Sequence, residues 1–247
     1  MSSSTDSFTL TPVPEEAKPF IRTCRADAAL QTAGIGIEHL SDLEIAKFWI
    51  GYHKDEKVAQ AKLASTLKWR ADYNLAGTLT EDFSDIHAIG KFYPLLKPSQ
   101  LGLTILVWHP RLHNPDAKQL ERLIRFFVSV VYGNWKKGVA SDKIIVLVEQ
   151  TGTESKNRDI AMVKQLATVF NENFPETLDS CFCFPSGWLM TTFWAAVKLF
   201  LDPVTADKVS FINEEDIPDV LAEITTPGNL PVALGGEWEG APTSPKC

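Results

Sequence analysis

The sequence is poor in the residues that build disulfide scaffolds and nucleic-acid surfaces. It has four cysteines in 247 residues, and 24 Lys and Arg against 31 Asp and Glu give a net charge of −7. A disulfide framework needs regularly spaced cysteines, and nucleic-acid binding needs a basic stripe that displaces phosphate counterions. The composition therefore argues against both classes and indicates a reducing, cytoplasmic compartment.

Signals for export, lipid attachment and catalysis are also missing. The start, Met-Ser-Ser-Ser-Thr-Asp, has no basic residues followed by an apolar run, and Cys247 is the last residue whereas a prenylated cysteine stands fourth from the end. The sequence contains no Gly-x-Ser-x-Gly nucleophile elbow and no phosphate-binding glycine loop. These absences favour a non-catalytic protein without a resident cofactor.

Two of the cysteines are close together but do not suggest a metal site. Cys181 and Cys183 alternate with Phe182 and Phe184, so both sulfurs lie on one face of an extended strand. No second cluster of ligands accompanies them in the sequence. The pattern favours core thiols and predicts no metal.

The first third of the chain is predicted to be helical. Residues 1–14 are rich in Ser, Thr and Pro and predict a flexible arm, and one helix is expected from Glu15 to about Ala33, with Ser41 capping the next. In the stretch 55–73, apolar residues repeat at helical spacing, and Arg70 falls on their side of the helix, where an arginine usually has an anionic partner. We therefore expect a helical N-terminal subdomain over residues 15–90.

After Gly90 the pattern changes to short apolar runs separated by amphipathic helices. This alternation is typical of an α/β domain with a mixed or parallel sheet, here with five or six strands over residues 91–236, followed by a coil tail at 237–247. The candidate strands are Leu103 to Trp108, Ile144 to Val148, Leu178 to Phe184 and Val209 to Ile212. The helical stripes between them run from Leu120 to Trp135 and from Ile160 to Phe174 and are expected to pack on the sheet.

The segment Cys181 to Leu201 contains a helix that is apolar nearly all round, with Lys198 as its only charge. From Trp188 to Leu201 it reaches about 21 Å at ~1.5 Å per residue, which is short of the ~30 Å core of a bilayer. Such a helix is either a central core helix or a lid over an apolar ligand. Its aromatic residues point to several sides of the axis, which favours a helix that lines a cavity.

Several polar residues stand beside apolar faces or at the ends of elements. Glu176 follows Phe174-Pro175, Thr205 follows the helix start Asp202-Pro203, and Lys208 precedes an apolar strand. Each of them, like Arg70, is a solvated or structurally paired side chain or a ligand-binding residue. Spacing alone leaves both interpretations open.

The order of these motifs resembles the CRAL-TRIO family, whose best-known branch comprises phosphatidylinositol and phosphatidylcholine transfer proteins. The resemblance covers roughly residues 40–236, from Trp69-Arg70 through Phe174-Pro175-Glu176 and Leu201-Asp202-Pro203-Val204-Thr205 to Gly235-Gly236. It implies an α/β domain in which an apolar gate helix covers a lipid cavity. It also implies that phosphatidylinositol is bound as cargo and exchanged at a membrane surface that the protein visits transiently.

The resemblance assigns roles to individual residues. The headgroup ligands it implies are Arg70, Glu176, Thr205 and Lys208. The gate and acyl pocket would be formed by Trp188, Met190, Phe193, Trp194, Val197 and Phe200. A second lipid such as phosphatidylcholine is a further expected partner, and the protein is expected to be a monomer.

The sequence also departs from the family pattern. Glu149 stands where the family has an aspartate, and Cys183-Phe184-Pro185 replaces Asn-Ala-Pro. Two alternatives to a phosphatidylinositol carrier also stay open: a carrier of another apolar ligand, such as a retinoid, tocopherol, sterol or haem, since relatives of this fold hold varied apolar ligands, and a non-catalytic scaffold with a vestigial cavity. For haem, His109 and His113 are close together, but Pro110 disturbs the helix that would align them.

Overall fold

The computed structural model describes residues 11–136 and 141–239, which divide into two compact units. The helical unit comprises residues 11–81 and 168–177, and the sheet unit comprises residues 82–167 and 178–239, within these described ranges. Residues 1–10 of the predicted arm and 240–247 of the predicted tail, including Cys247, lie outside the described residues.

The helical unit is built from four helices around an apolar core. They are α1 (Lys18–Ala26), α2 (Ala28–Thr32), α3 (Asp42–Gly51) and α4 (Glu56–Asp72). Core side chains that are at most 2% exposed include Phe20, Phe48, Ile45, Leu63 and Leu67. The segment 168–177 joins this unit: the ring of Phe174 meets that of Trp69 edge to face at 5.9 Å, and Thr66 donates to the carbonyl of Glu172 at 3.1 Å.

The prediction of one helix from Glu15 to Ala33 is wrong. Asp27 has extended backbone angles (φ −76°, ψ 111°), and its carboxylate accepts hydrogen bonds from the backbone N–H groups of Ala29 and Leu30. Asp27 is therefore the N-cap of a second helix, because its short acidic side chain satisfies N–H groups that a continuous helix would bond internally. The predicted cap at Ser41 is confirmed, since Ser41 and Glu44 form a reciprocal capping box.

The sheet unit contains a five-stranded mixed sheet, as predicted. Its strands are β1 (Phe92–Pro94), β2 (Leu103–Trp108), β3 (Ser141–Glu149), β4 (Leu178–Phe184) and β5 (Val209–Phe211), in that spatial order. β1 is antiparallel to β2 and the other pairs are parallel. The three-residue β1 was not predicted because a strand this short gives no alternating pattern.

Helices connect the strands and close the unit. They are α5 (Ser84–Ile89), α6 (Leu120–Lys136), α7 (Ile160–Asn173), α8 (Trp188–Val197), α9 (Pro203–Asp207) and α10 (Ile217–Ile224). The stripe predicted on α6 is buried at Ile124, Phe127 and Val131, and the side chain of Trp135 lies outside the described residues. On α7 the expectation of a buried stripe is only partly met, because Ile160 is 41% exposed, whereas Met162 and Phe174, directly after the helix, are buried.

The sheet has two differently covered faces. Because β2 to β5 follow one another in space as in sequence, right-handed crossovers place their connecting helices on the same side. We call this side the α8 face; it carries Trp108, Val146, Val148, Cys181, Cys183, Val209 and Phe211. The opposite face packs against α10 and the segment from Leu230 to Trp238 in the larger core of the unit.

Candidate functional site

The α8 face is apolar and incompletely covered. β4 is an internal strand, bonded to β3 on one side and to β5 on the other, yet Cys181 on this face is only half-buried. Val146 and Val209, which pair with Cys181 across the strands, and Phe211, which pairs with Cys183, are also only partly buried. An internal strand keeps accessible side chains only where the layer above it leaves space, so an apolar opening lies over this part of the sheet.

The two thiols share this face, as the sequence predicted. Cys183 is buried against Val148 and Met190, whereas Cys181 borders the opening. A hydrogen bond with Cys181, together with burial, raises the pKa of Cys183 well above its usual value. The sulfur of Cys183 is therefore a neutral packing group at neutral pH.

Helix α8 and the turn after it lie over the α8 face. Met190 and Val197 are buried, Phe193 and Trp194 are half-buried, and the Trp194 ring stands edge-on to Phe211 at 5.5 Å. Trp188 begins the helix, but its side chain lies outside the described residues. Helix α8, which the family resemblance predicts to be a gate, thus contacts the incompletely covered α8 face.

The chain that leaves α8 exposes apolar side chains. A short 3-10 turn, Lys198–Phe200, follows the helix, where Leu199 is 81% and Phe200 38% exposed, and Val204 on the next helix is 48% exposed. Within the described ranges no helix has both the length and the apolar character to cross a membrane. We call the three exposed side chains Leu199, Phe200 and Val204 the apolar patch.

Two of the predicted headgroup ligands belong to the helical unit. Arg70 is 4% exposed, its Nη1 lies 2.9 Å from Oε1 of Glu44, and its guanidinium stands over the Phe174 ring at 5.7 Å. The anionic partner expected for Arg70 is therefore present. Glu176 is half-buried in the left-handed backbone region (φ 55°), directly after Phe174-Pro175.

The other two belong to the sheet unit: Thr205 lies within α9, and Lys208 directly follows it. Asp202 caps this helix as predicted, accepting from the N–H of Thr205 at 2.9 Å and from its hydroxyl at 2.5 Å. Lys208 ends the helix, and its carbonyl accepts from the N–H of Cys181 at 2.8 Å. Thr205 and Lys208 are thus brought together beside the start of β5, and both are half-buried.

Sequence reasoning missed Arg158, which contacts α8 directly. Its Nη1 lies 3.5 Å from the sulfur of Met190, and its guanidinium carbon lies 5.0 Å from the centre of the Phe193 ring. Arg158 lies in the loop before α7, where no helical or strand periodicity operates, so no signal in the sequence marked it.

A second polar cluster surrounds Glu149, which is 3% exposed. Glu149 Oε2 lies 3.1 Å from Nδ1 of His109 and 3.0 Å from Nη1 of Arg111, and His109 Nε2 lies 3.0 Å from the Tyr93 hydroxyl. Burial alone would raise the pKa of Glu149, but hydrogen bonds from His109 and Thr151 hold it below its usual value. Burial raises the pKa of Tyr93 to about 12.

Tyr93, His109 and Arg111 also line a pocket of about 260 Å³, together with Pro231 and Trp238. This volume is below the ~300–1,000 Å³ of pockets that hold drug-sized ligands. The pocket is therefore too small for a phospholipid with two long chains.

Comparisons with known proteins point in one direction. A family model described as the CRAL/TRIO domain matches residues 90–236. The chain is 28% identical over 202 residues to the phosphatidylinositol transfer protein CSR1 of Eremothecium gossypii, covering 75% of this chain and 44% of that protein. It is 25% identical over 202 residues to the phosphatidylinositol/phosphatidylcholine transfer protein SFH7 of Arabidopsis thaliana, covering 74% and 37%.

A shorter relative and a solved structure extend this picture. The SEC14 cytosolic factor of Candida glabrata is 24% identical over 232 residues, covering 85% of this chain and 75% of that protein. The chain spans about two fifths of the length of the CSR1 and SFH7 relatives. The crystal structure of Sfh5 superposes with a TM-score of 0.63 at 12% identity, covering 83% of this chain and 80% of that one, which shows a shared fold.

Proposed function

Because the chain belongs to the CRAL/TRIO domain family, we propose that it binds one phospholipid, phosphatidylinositol, and exchanges it at membranes. The acyl chains would lie between α8 and the α8 face, and α8 would open as the gate. The relatives named as phosphatidylinositol transfer proteins support the choice of cargo. A second cargo such as phosphatidylcholine, a monomeric state and a cytoplasmic location with transient membrane visits remain predictions from the sequence.

The observation that carries the proposal is that the apolar α8 face is partly accessible beneath the apolar helix α8. Half-buried Cys181, Val209 and Phe211 would be covered by acyl chains. Each buried methylene contributes roughly 0.8 kcal/mol, so two long chains bind tightly enough that release needs an apolar acceptor. A membrane is such an acceptor.

The apolar patch formed by Leu199, Phe200 and Val204 supports release at a membrane. Leu199 is 81% exposed at the end of the gate, where it is available to enter the interface of a bilayer. Contact of this patch with lipid would favour a conformation in which α8 moves away from the sheet, because the open cavity then meets hydrocarbon instead of water.

We infer binding and exchange in place of catalysis. Tyr93, His109 and Glu149 form a triad-like array, but each is at most 5% exposed, which favours a role in the core over attack on a substrate.

The headgroup assignment is tested by a vesicle transfer assay with Lys208→Ala. Lys208 would donate charge-assisted hydrogen bonds to the phosphate or inositol, and such bonds contribute about 1.5–3 kcal/mol. We expect roughly 10- to 100-fold slower transfer of phosphatidylinositol between phosphatidylcholine vesicles. Lys118→Ala, which removes an exposed lysine from the loop before α6, should behave like wild type.

Thr205→Ala should slow phosphatidylinositol transfer less than Lys208→Ala does, since it removes one neutral hydroxyl. Equal transfer by wild type and Lys208→Ala would show that Lys208 does not bind the headgroup. The assignments of Arg70 and Glu176 are proposals of the same kind, and the corresponding alanine variants are assayed alongside, with a check that they remain folded.

A further inference from the structure

Arg158 is a partly desolvated cation whose partners in the described chain are weak. Its Nη1 donates to the sulfur of Met190 at 3.5 Å and its guanidinium stacks over the ring of Phe193, while Nε is buried without an acceptor among the described residues. A thioether is a weak acceptor, and an aromatic face compensates a charge only partly. Burial accordingly lowers the pKa of Arg158.

The neighbouring carboxylate does not neutralise it. Asp159 directs Oδ2 to Nε2 of His113 at 3.1 Å and Oδ1 to the backbone N–H of Met162 at 2.9 Å. Arg70 and Arg111 in this chain are paired with Glu44 and Glu149, respectively. No carboxylate pairs with Arg158 within the described residues.

The position of Arg158 relates it to the cargo space. Met190, which it contacts, packs with Val148 and Cys183 near the ends of β3 and β4. Thr205 and Lys208 instead precede β5, whose first residue pairs with Cys181. Arg158 therefore lies by the carboxyl ends of β3 and β4, whereas Thr205 and Lys208 precede the amino end of the three-residue β5, and it borders the same α8 face.

A second cation, Lys164, lies beside the segment from Phe193 to Phe200 that Arg158 also contacts. Phe193 and Phe200 are seven residues apart, and Nζ of Lys164 lies 5.0 Å from the centre of the Phe200 ring. The segment from Phe193 to Phe200 is thus bordered by two positive charges of the sheet unit. A lipid tail bound to the α8 face would bring an anionic group attached to it close to these two cations.

We propose that Arg158 is an anion ligand of the cargo site, binding the phosphate or carboxylate of a lipid whose tail covers the α8 face. The inference rests on the proposed function, and it adds a guanidinium to the charged groups proposed to bind the cargo. A guanidinium presents paired N–H donors that match a phosphate or a carboxylate at two points. The ligand would replace the contact to Met190 with charge-assisted hydrogen bonds.

The test compares lipids that share a tail and differ in charge. The purified full chain is titrated with oleate, with oleyl alcohol as its neutral counterpart, and with vesicles that contain phosphatidylinositol. Arg158→Gln should weaken binding of the anionic lipids roughly 10- to 100-fold and leave oleyl alcohol within about twofold. Lys156→Gln, which changes an exposed residue paired with Glu154, should alter none of the three.

The outcomes separate the inference from the proposed function. A loss confined to phosphatidylinositol identifies a phosphate as the bound group, and a loss confined to oleate identifies a carboxylate. Equal losses for oleate and oleyl alcohol, or no loss at all, would overturn the inference. If wild type binds phosphatidylinositol while Arg158→Gln behaves like it with both anionic lipids, the proposed function survives alone.

The converse result is also decisive. If wild type binds oleate through Arg158 but not phosphatidylinositol, the phosphatidylinositol proposal fails and the inference survives. Binding of neither anionic lipid would reject both. Arg158→Lys keeps the charge without the two-point geometry and should show an intermediate loss, which protects the test if Arg158→Gln does not fold.

Discussion

At the scale of single residues, Glu44 links the start of one helix to the end of another. One carboxylate oxygen accepts from the N–H of Ser41 at 2.8 Å, and the other lies 2.9 Å from Arg70. Both charged side chains are nearly inaccessible to water, at 3% and 8% exposure. Removing either partner would leave the other charge buried and unpaired, which is far more costly than losing a surface pair.

We therefore predict that Glu44→Ala lowers the free energy of unfolding by about 3–5 kcal/mol, measured by urea denaturation. The matched control is Asp42→Ala, which removes the half-exposed partner of Arg25 from the same helix and should cost about 0–1 kcal/mol. Similar decreases in the free energy of unfolding for the two variants would contradict a large contribution from the buried pair of Glu44 and Arg70.

The two arginines show what the sequence can and cannot indicate at this scale. Helical spacing placed Arg70 on the buried side of α4 and predicted an anionic partner, but Glu44, 26 residues earlier, could not be named because the pairing depends on how α3 packs on α4. Arg158 gave no signal, since its contact with α8 joins residues 32 positions apart. The headgroup roles came from family resemblance and remain predictions.

At the scale of elements, apolar patterns predicted the long elements well. The predicted bounds of β2 and β4 coincide with the structure, and α4 and α6 appear where the stripes indicated. The errors occur where a short-range interaction competes with periodicity: the Asp27 cap divides a helix, and β1 is too short to show a pattern. The incomplete burial of α7 could not be read from its sequence, because an apolar residue that lines an opening looks the same as one in a filled core.

The gate segment provides the prediction at this scale. Leu199→Glu should slow vesicle-to-vesicle transfer of phosphatidylinositol, because a charge replaces an apolar side chain proposed to enter the bilayer interface. Stability should change by less than about 0.5 kcal/mol, since the position is on the surface. Leu101→Glu is a matched control, because Leu101 is equally exposed at 81% and lies in the loop before β2. Equal transfer by the two variants would exclude a membrane role for Leu199.

At the scale of the whole molecule, the resemblance to the CRAL-TRIO family is confirmed, and so is the mixed α/β fold that it implied. The family was recognisable because an ordered set of short motifs spans most of the chain. The bound ligand is harder to predict from the sequence, because lipid binding depends on a cavity between packed layers, and no sequence motif marks a cavity. The half-buried side chains of the internal strand β4 support the proposed location of the cargo.

The central claim, that the α8 face holds acyl chains, is tested most directly by mass spectrometry of lipids extracted from the purified full chain and its Cys181→Phe variant. Cys181 borders the opening, so a phenyl ring there would occupy the cargo space. Ser210→Phe adds comparable volume at an exposed position on β5, where Ser210 pairs with Phe182 on the opposite face, and serves as the control.

We predict phosphatidylinositol enriched in wild type and in Ser210→Phe and at least tenfold depleted in Cys181→Phe, with all three proteins folded. Undiminished lipid in a folded Cys181→Phe, or no enriched lipid in wild type, would contradict a cargo site on the α8 face.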